Sequence, residues 1–148
     1  MIFRFRPRYR GVAFTSIGVG GSLALFAVIA GFVAIPLATG AVGVLLGGGY
    51  LASGTWRLRV TVDEDGLEVG SEGKRRFRLA WTEVARVVVS RSTNTCFVDG
   101  GTPERSLLVP GVGAPAPYAI ENRPALVAFI LAHVPPDKVA EATTLERA

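Results

Sequence analysis

An unbroken stretch without charge constrains the fold of this chain more than any other feature. From Gly11 through Trp56 the sequence contains no Asp, Glu, Lys, Arg or His. A soluble domain needs polar outer faces on its helices and strands, so it rarely carries such a stretch. The stretch therefore predicts a segment that lies in lipid.

This uncharged segment is long enough for two crossings of a bilayer. One helical crossing takes roughly 20 residues, and backbone groups in lipid must be satisfied internally, so each crossing is expected to be a helix. Pro36, followed by Thr39 and Gly40, predicts the turn. The spans are then placed at about Val12 to Phe32 and Leu37 to Trp56. The alternatives are a cleaved signal peptide, whose apolar core has only about 7–15 residues, and one long tilted span with a re-entrant tail.

Basic residues flank the two predicted spans, and the connector has none. They are Arg4, Arg6, Arg8 and Arg10 before the first span, and Arg57 and Arg59 after the second. Because basic flanks stay on the cytoplasmic side, we expect a multi-pass protein of the cytoplasmic membrane with both termini inside. Trp56 is expected at the membrane interface.

The N-terminal stretch RFRPRYR alternates strictly between arginine and other residues. In an extended chain, this period puts arginines on one side and Phe3 and Phe5 on the other. Such a strip could lie along anionic headgroups, and topology signalling alone explains the arginines equally well.

Glycines are dense in both predicted spans, and Gly43 with Gly47 forms a GxxxG pair. Small residues let helix backbones approach closely in lipid. The favoured interpretation is that the two spans pack on each other within one chain. The alternative is homo-oligomerisation, or docking onto another membrane protein, through the same seam.

Charge and residue counts exclude several function classes. Of the 16 basic residues, four precede the first span, which leaves 12 against 12 acidic residues in the rest of the chain. Nucleic-acid binding needs a basic excess on the folded domain, so no nucleic-acid partner is expected. With one cysteine and one histidine, no disulfide, CxxC motif or His-pair zinc motif is available, and no cofactor is expected.

From residue 57 the pattern changes to short strands closed by one helix. Six strands are predicted by alternation and turn residues: 57–62, 67–69, 76–81, 84–90, 96–98 and 106–109. After a loop rich in Gly and Pro, Asn122 and Pro124 predict a helix start. Leu126, Ile130 and His133 lie on its apolar stripe, so His133 is interpreted as a packing residue.

Three segments carry a resemblance to bacterial pleckstrin-homology (PH-like) domains attached to a pair of transmembrane helices. They are VTVDEDGLEV at 60–69, FRLAWTEVARV at 77–87 and ENRPALVAFILAHV at 121–134. The resemblance implies a mostly-β PH-like domain of about six antiparallel strands capped by one C-terminal α-helix. The organisation expected is a basic cytoplasmic N-terminus (1–10), a transmembrane α-helical hairpin (11–56), a cytoplasmic PH-like domain (57–136) and a tail (137–148).

The best candidate site is a basic hairpin. It consists of Lys74, Arg75, Arg76 and Arg78. The resemblance implies that such residues grip a phosphorylated headgroup, and guanidinium forks suit phosphate. The alternative is a solvated strand face. With no catalytic constellation, we expect a non-enzymatic module that scaffolds or regulates a protein partner at the inner face of the membrane, or else senses anionic lipid through the hairpin.

Overall fold

The structure, a computed structural model, describes residues 1–90 and 92–142. It divides into two compact units. One comprises Met1–Arg6 with Thr55–Ala148, and the other comprises Pro7–Gly54. The second unit is therefore an insertion into the first. The predicted tail lies partly outside the described residues.

The inserted unit consists of two helices. They are α1 (Arg10–Ile29) and α2 (Ala34–Leu51), and both are long and apolar enough to cross a membrane by length and composition. The turn between them falls at residues 30–33, ahead of its predicted place at Pro36. Pro36 lies in the first turn of α2, where its missing N–H costs no helical hydrogen bond.

The helices meet at glycines, where their backbones come close. A Cβ on Gly40 would lie too near the Gly20 carbonyl, and one on Gly47 would lie 2.6 Å from the carbonyl oxygen of Ala13. Ser16 also donates a hydrogen bond of 2.9 Å to the Gly43 carbonyl. The GxxxG pair Gly43 and Gly47 therefore packs against α1 of the same chain.

The other unit is built from two sheets. Its nine described strands are β1 (Ile2–Pro7), β2 (Arg59–Val62), β3 (Gly66–Ser71), β4 (Lys74–Ala80), β5 (Arg86–Ser90), β6 (Thr95–Asp99), β7 (Leu107–Val109), β8 (Tyr118–Ile120) and β9 (Val139–Glu141). One sheet has the order β4-β3-β2-β1-β8, and the other has β7-β6-β5-β9. Neighbours β1 to β4 and β5 to β7 pair antiparallel, while β9 pairs parallel with β5.

The N-terminal stretch belongs to the first sheet. β1 pairs with β2, so that Phe3 lies opposite Val60. The predicted alternation is present, since Phe3 and Phe5 are buried in the core whereas Arg4 and Arg6 are exposed. The aromatic side of this strip therefore fills a protein core. Residues 1–10, predicted to be a separate basic segment, divide between the sheet and the start of the inserted unit.

The core lies between the sheets and is closed by α3 (Arg123–His133). Leu126 and Ile130 on the predicted stripe are fully buried. Asn122 stands at the N-cap with a left-handed backbone, yet its side chain makes no cap hydrogen bond. The helix start is thus as predicted, with Pro124 in the first turn, but the expected cap by the Asn122 side chain is wrong.

Six strands were predicted, and the described residues contain nine. The three additional strands are β1, β8 and β9. The last two are only three residues long and follow proline-rich or glycine-rich sequence, where pairing with a neighbour rather than local pattern makes the strand. The coarse architecture agrees with the prediction: two N-terminal helices, then antiparallel and mixed sheets with a C-terminal helix.

Candidate functional site

The basic hairpin lies on β4, at the edge of the five-stranded sheet. Val69 of β3 lies opposite Phe77, but Gly70 lies opposite Arg75, so the register skips Arg76. Arg76 is the extra residue of a β-bulge. A Cβ on Gly70 would lie 2.8 Å from the Lys74 carbonyl oxygen, so this close approach requires glycine.

Two of the four hairpin side chains are engaged by carboxylates. The Arg75 Nε lies 2.9 Å from Glu68 Oε2. An Arg78 Nη2 lies 3.6 Å from Asp63 Oδ2 and 3.8 Å from Asp65 Oδ2. These exposed ion pairs are weak, but they neutralise the positive charge that would attract an anionic headgroup.

The other two hairpin side chains, Lys74 and Arg76, are exposed. Within residues 1–90 and 92–142, neither forms an ion pair or a side-chain hydrogen bond. The structure therefore separates the four predicted residues into a neutralised pair and a pair with uncompensated charge.

Arg76 also lines an open cleft of about 660 Å³, called here the apolar cleft. Its lining residues are Phe5, Thr55, Leu58, Val69, Arg76, Phe77, Phe97, Asp99, Gly101, Thr102, Pro103, Ser106, Leu107, Leu108 and Tyr118. Strands of both sheets contribute, so the cleft opens between them. Its walls are largely aromatic and aliphatic. The ring centres of Phe5 and Tyr118 lie 4.9 Å apart.

Polar groups at the cleft are few, and most of them already form hydrogen bonds within the protein. The Tyr118 hydroxyl donates to the Leu108 carbonyl at 3.0 Å. Burial raises the pKa of Tyr118, and the nearby charge of Arg76 opposes that rise. The Asp99 carboxylate accepts hydrogen bonds from the Gly101 N–H at 2.8 Å and the Ser106 hydroxyl at 3.3 Å. Arg76 is thus a positively charged lining residue without an ion-pair partner among the described residues. The cleft therefore suits a largely apolar ligand with one negative group.

The residues predicted to set topology have three different positions. Arg6 forms an ion pair with Glu121. In the inserted unit, the guanidinium carbon of Arg8 lies 5.9 Å from the Tyr9 ring centre, and that of Arg10 lies 5.4 Å from the Phe14 ring centre.

The remaining four of these residues, Arg4, Trp56, Arg57 and Arg59, line one pocket of about 580 Å³ together with Leu58, Ser71 and Glu72. We call it the arginine pocket. These residues were predicted as separate topology signals and not as one site, because the pairing of β1 with β2 was not predicted. The matching alternation in residues 3–6 and 57–62 was the signal available for that pairing.

The single histidine and the single cysteine are both taken up in packing. His133 stacks on Phe129, with ring centres 4.1 Å apart, and lies 5.6 Å from the Trp81 ring. Cys96 is fully buried, and that burial raises the pKa of its thiol to about 12. Among the described residues, no three His, Cys, Asp or Glu side chains are grouped so as to hold a metal ion.

Comparison with protein-family models, with curated proteins and with solved structures gives no match.

Proposed function

We propose that this protein is a membrane-anchored, non-enzymatic binding module that presents a PH-like domain to a protein partner at the inner face of the cytoplasmic membrane. The observation that carries the proposal is the insertion of two long apolar helices between paired strands of a domain with an open apolar cleft.

The surface of the two helices supports the anchoring. At 1.5 Å per residue, the 20 residues of α1 extend about 30 Å, the thickness of a hydrocarbon core. Large apolar side chains point outward from both helices, among them Phe14, Leu25, Phe26, Ile35 and Leu45. Such a surface is costly in water and favourable in lipid.

The strand pairing supports a helical hairpin whose ends lie on one side of the membrane. The chain leaves the first sheet after β1 and returns to it at the adjacent strand β2. Two crossings allow that return, whereas a single crossing would separate the two strands. The arginines at both ends of the insertion favour the cytoplasmic side.

The two sheets and the C-terminal helix support the PH-like assignment. The strands β1 to β4 and β5 to β7 form two antiparallel groups, and α3 packs its apolar face on the core between them. With β1 counted, these groups contain seven strands, the number usual in the PH-like fold.

The apolar cleft supports protein binding. Apolar side chains of a partner would be buried against Phe77, Phe97 and Leu108, and a partner carboxylate would face Arg76. No catalytic step is assigned to the chain, because His133 and Cys96 serve packing.

Anchoring and partner binding are tested separately. Alkaline carbonate should leave the protein in the membrane fraction, and its release would contradict the anchoring.

For the partner, a photo-crosslinking residue replaces Leu108 in the cleft or, as the matched control, exposed Val112 outside it. A discrete adduct at position 108 that is absent at 112 and is weakened by Arg76→Glu is expected. Identical adducts at both positions, or none at 108, would refute cleft binding.

A second candidate is anionic-lipid sensing through the basic hairpin, favoured by the uncompensated charges of Lys74 and Arg76. It predicts that K74Q/R76Q weakens association with anionic nanodiscs in low salt. Unchanged association would remove the hairpin from consideration.

A further inference from the structure

Two arginines lie directly opposite each other in the first sheet. Arg4 of β1 pairs with Arg59 of β2, while their neighbours Phe3 and Val60 are buried. Like charges at directly opposed positions of an antiparallel pair destabilise the sheet. A sheet stable enough to fold can tolerate this arrangement, but the arrangement itself needs an explanation.

A third arginine adds to the repulsion. Arg57 lines the same pocket, and neither Arg4 nor Arg57 forms a side-chain hydrogen bond or ion pair within residues 1–90 and 92–142. Glu72 approaches Arg59 at 3.5 Å, but the Glu72 side chain is 93% exposed, so solvent screens this pair strongly. The arginine pocket therefore concentrates three positive charges around one concavity with little compensation.

We propose that the arginine pocket binds a phosphate group carried by a membrane lipid headgroup. Planar guanidinium groups donate paired hydrogen bonds to phosphate oxygens, and three of them match a phosphate monoester, which carries more charge than a diester. Bound phosphate would replace the Arg4–Arg59 repulsion with attraction. Trp56, in the same pocket, has the amphipathic ring that favours the headgroup level.

Only short segments of chain connect the arginines of this pocket to the predicted spans. Arg4 precedes the start of α1 at Arg10 by six residues, and Arg57 follows the end of α2 at Leu51 by six. Six residues reach at most about 20 Å. The lipid source of the phosphate therefore rests on the proposed anchoring, whereas the phosphate site itself does not. The arginines of the basic hairpin are less suited, since Arg75 and Arg78 are already paired with carboxylates.

The test uses the full chain in a neutral detergent. Native mass spectrometry counts the lipid retained from an equimolar mixture of phosphatidic acid, phosphatidylglycerol and phosphatidylcholine. We expect one phosphatidic acid per chain, in preference to the other two lipids. Arg57→Gln and Arg59→Gln should each weaken that retention at least about tenfold, because each removes charge-assisted hydrogen bonds. Arg59→Lys, which keeps the charge but loses the fork, should fall in between.

Two controls separate binding from folding and from general charge. Arg86→Gln removes the charge of an exposed arginine outside the pocket and should leave lipid retention unchanged. Without ligand, Arg59→Gln should melt roughly 1–4 °C higher than the wild type, because it relieves the like-charge pair. A variant that is more stable and binds less cannot owe its loss of binding to misfolding.

Inorganic phosphate distinguishes the source of the ligand. At matched ionic strength, sodium phosphate should raise the melting temperature of the wild type relative to sodium chloride, and Arg59→Gln should abolish the effect. Stabilisation by phosphate without lipid retention would keep the phosphate site and overturn its lipid source. Equal losses in Arg86→Gln and Arg59→Gln, or no response to phosphate or lipid, would overturn the proposal, and carbonate extraction reports on the anchoring independently.

Discussion

Phe3 lies opposite Val60 across β1 and β2, and the entire helical unit lies between them in the sequence. Both side chains are buried in the core that the two sheets share with α3. The strand that precedes the helices is therefore as much a part of the domain as the strands that follow them. During synthesis, β1 can pair only after both helices have been made.

Phe3→Ala tests the contribution of β1 to the core. Removing a buried phenylalanine side chain should lower the free energy of unfolding by about 3–5 kcal/mol, since Phe3 is only 4% exposed. Chemical denaturation of the full chain in detergent, followed by tryptophan fluorescence, measures the change. Ile2→Ala is the matched control, because Ile2 on the same strand is exposed and should cost little. Equal effects of the two substitutions would contradict the placement of Phe3.

A fragment that begins at Arg57 should fail to fold. It lacks β1, and with it Phe3 and Phe5 of the core, and it exposes an unpaired edge of β2. Replacing residues 8–54 by a short Gly-Ser linker should instead give a folded, soluble domain, because adjacent antiparallel strands need only a tight connection. Dispersed amide resonances for the linked domain and collapsed ones for the fragment are expected. A well-folded fragment would show β1 to be dispensable.

Gly40→Leu should disrupt the packing of the two helices. A Cβ at this position would overlap the backbone of Gly20 and Ala24, which cannot move aside as a flexible side chain does. The full chain in detergent should lose thermal stability in its helical signal, followed by circular dichroism. Gly48→Leu is the matched control, since a Cβ on Gly48 meets nothing within 4 Å. Comparable losses in both variants would indicate a helix-propensity effect in place of a packing effect.

The elements predicted well from sequence are those whose signal is local. Alternation and turn residues predict strands β2 to β7, and the apolar stripe at Leu126 and Ile130 predicts α3. The helical pair follows from the absence of charge. The turn between the helices was placed too late, because Pro36 ends a helix and also suits the first turn of the next one.

What the sequence did not show depends on contacts between distant residues. The alternating N-terminal residues were predicted either to lie along anionic headgroups or to act only as a topology signal. Neither interpretation includes the sheet pairing of β1, because its partner β2 begins 52 residues after β1 ends. The same pairing creates the arginine pocket, so that site was missed with it. Within the basic hairpin, the bulge at Arg76 follows from the register with Gly70. Local alternation alone places Arg76 and Arg78 on one face and cannot show which arginines meet carboxylates.

Glu83→Gln should change the acid stability of the domain. Glu83 follows Trp81 in the motif WTE, and its carboxylate accepts a hydrogen bond from the Ala80 N–H at 3.2 Å and pairs with Arg105 at 2.8 Å. These contacts lower the pKa of Glu83 below its ordinary value of 4.5. A lowered pKa in the folded state gives stability that is present above pH 4.5 and is lost as pH falls through the folded value.

The wild type should therefore lose more stability between pH 6 and pH 3 than Glu83→Gln does, in urea titrations of the linked domain. Glu104→Gln is the control, because Glu104 forms no side-chain hydrogen bond or ion pair with the described residues. A control whose profile flattened as much as that of Glu83→Gln would assign the effect to net charge.

Cys96 gives a prediction at the opposite end of the pH scale. Its thiol is fully buried on β6, and the pKa is raised from 9.0 to about 12 because the core disfavours the thiolate. The thiolate is the reactive form, so at neutral pH the folded protein should react roughly a thousandfold more slowly with a disulfide reagent than the denatured chain does. The raised pKa also means that the stabilising contribution is complete below pH 9.0 and is lost as pH rises toward about 12.

Above pH 9 the wild type should lose up to about 1.4 kcal/mol of unfolding free energy per pH unit more than Cys96→Ala does. Tyr118, whose pKa is also raised, titrates in both proteins, so its contribution cancels in the comparison. Denaturation at pH 8, 9.5 and 10.5 gives the two slopes. Parallel slopes, or rapid thiol reaction in the folded protein, would place Cys96 outside the core and would contradict the pairing of β6 with β5 and β7 on which the second sheet depends.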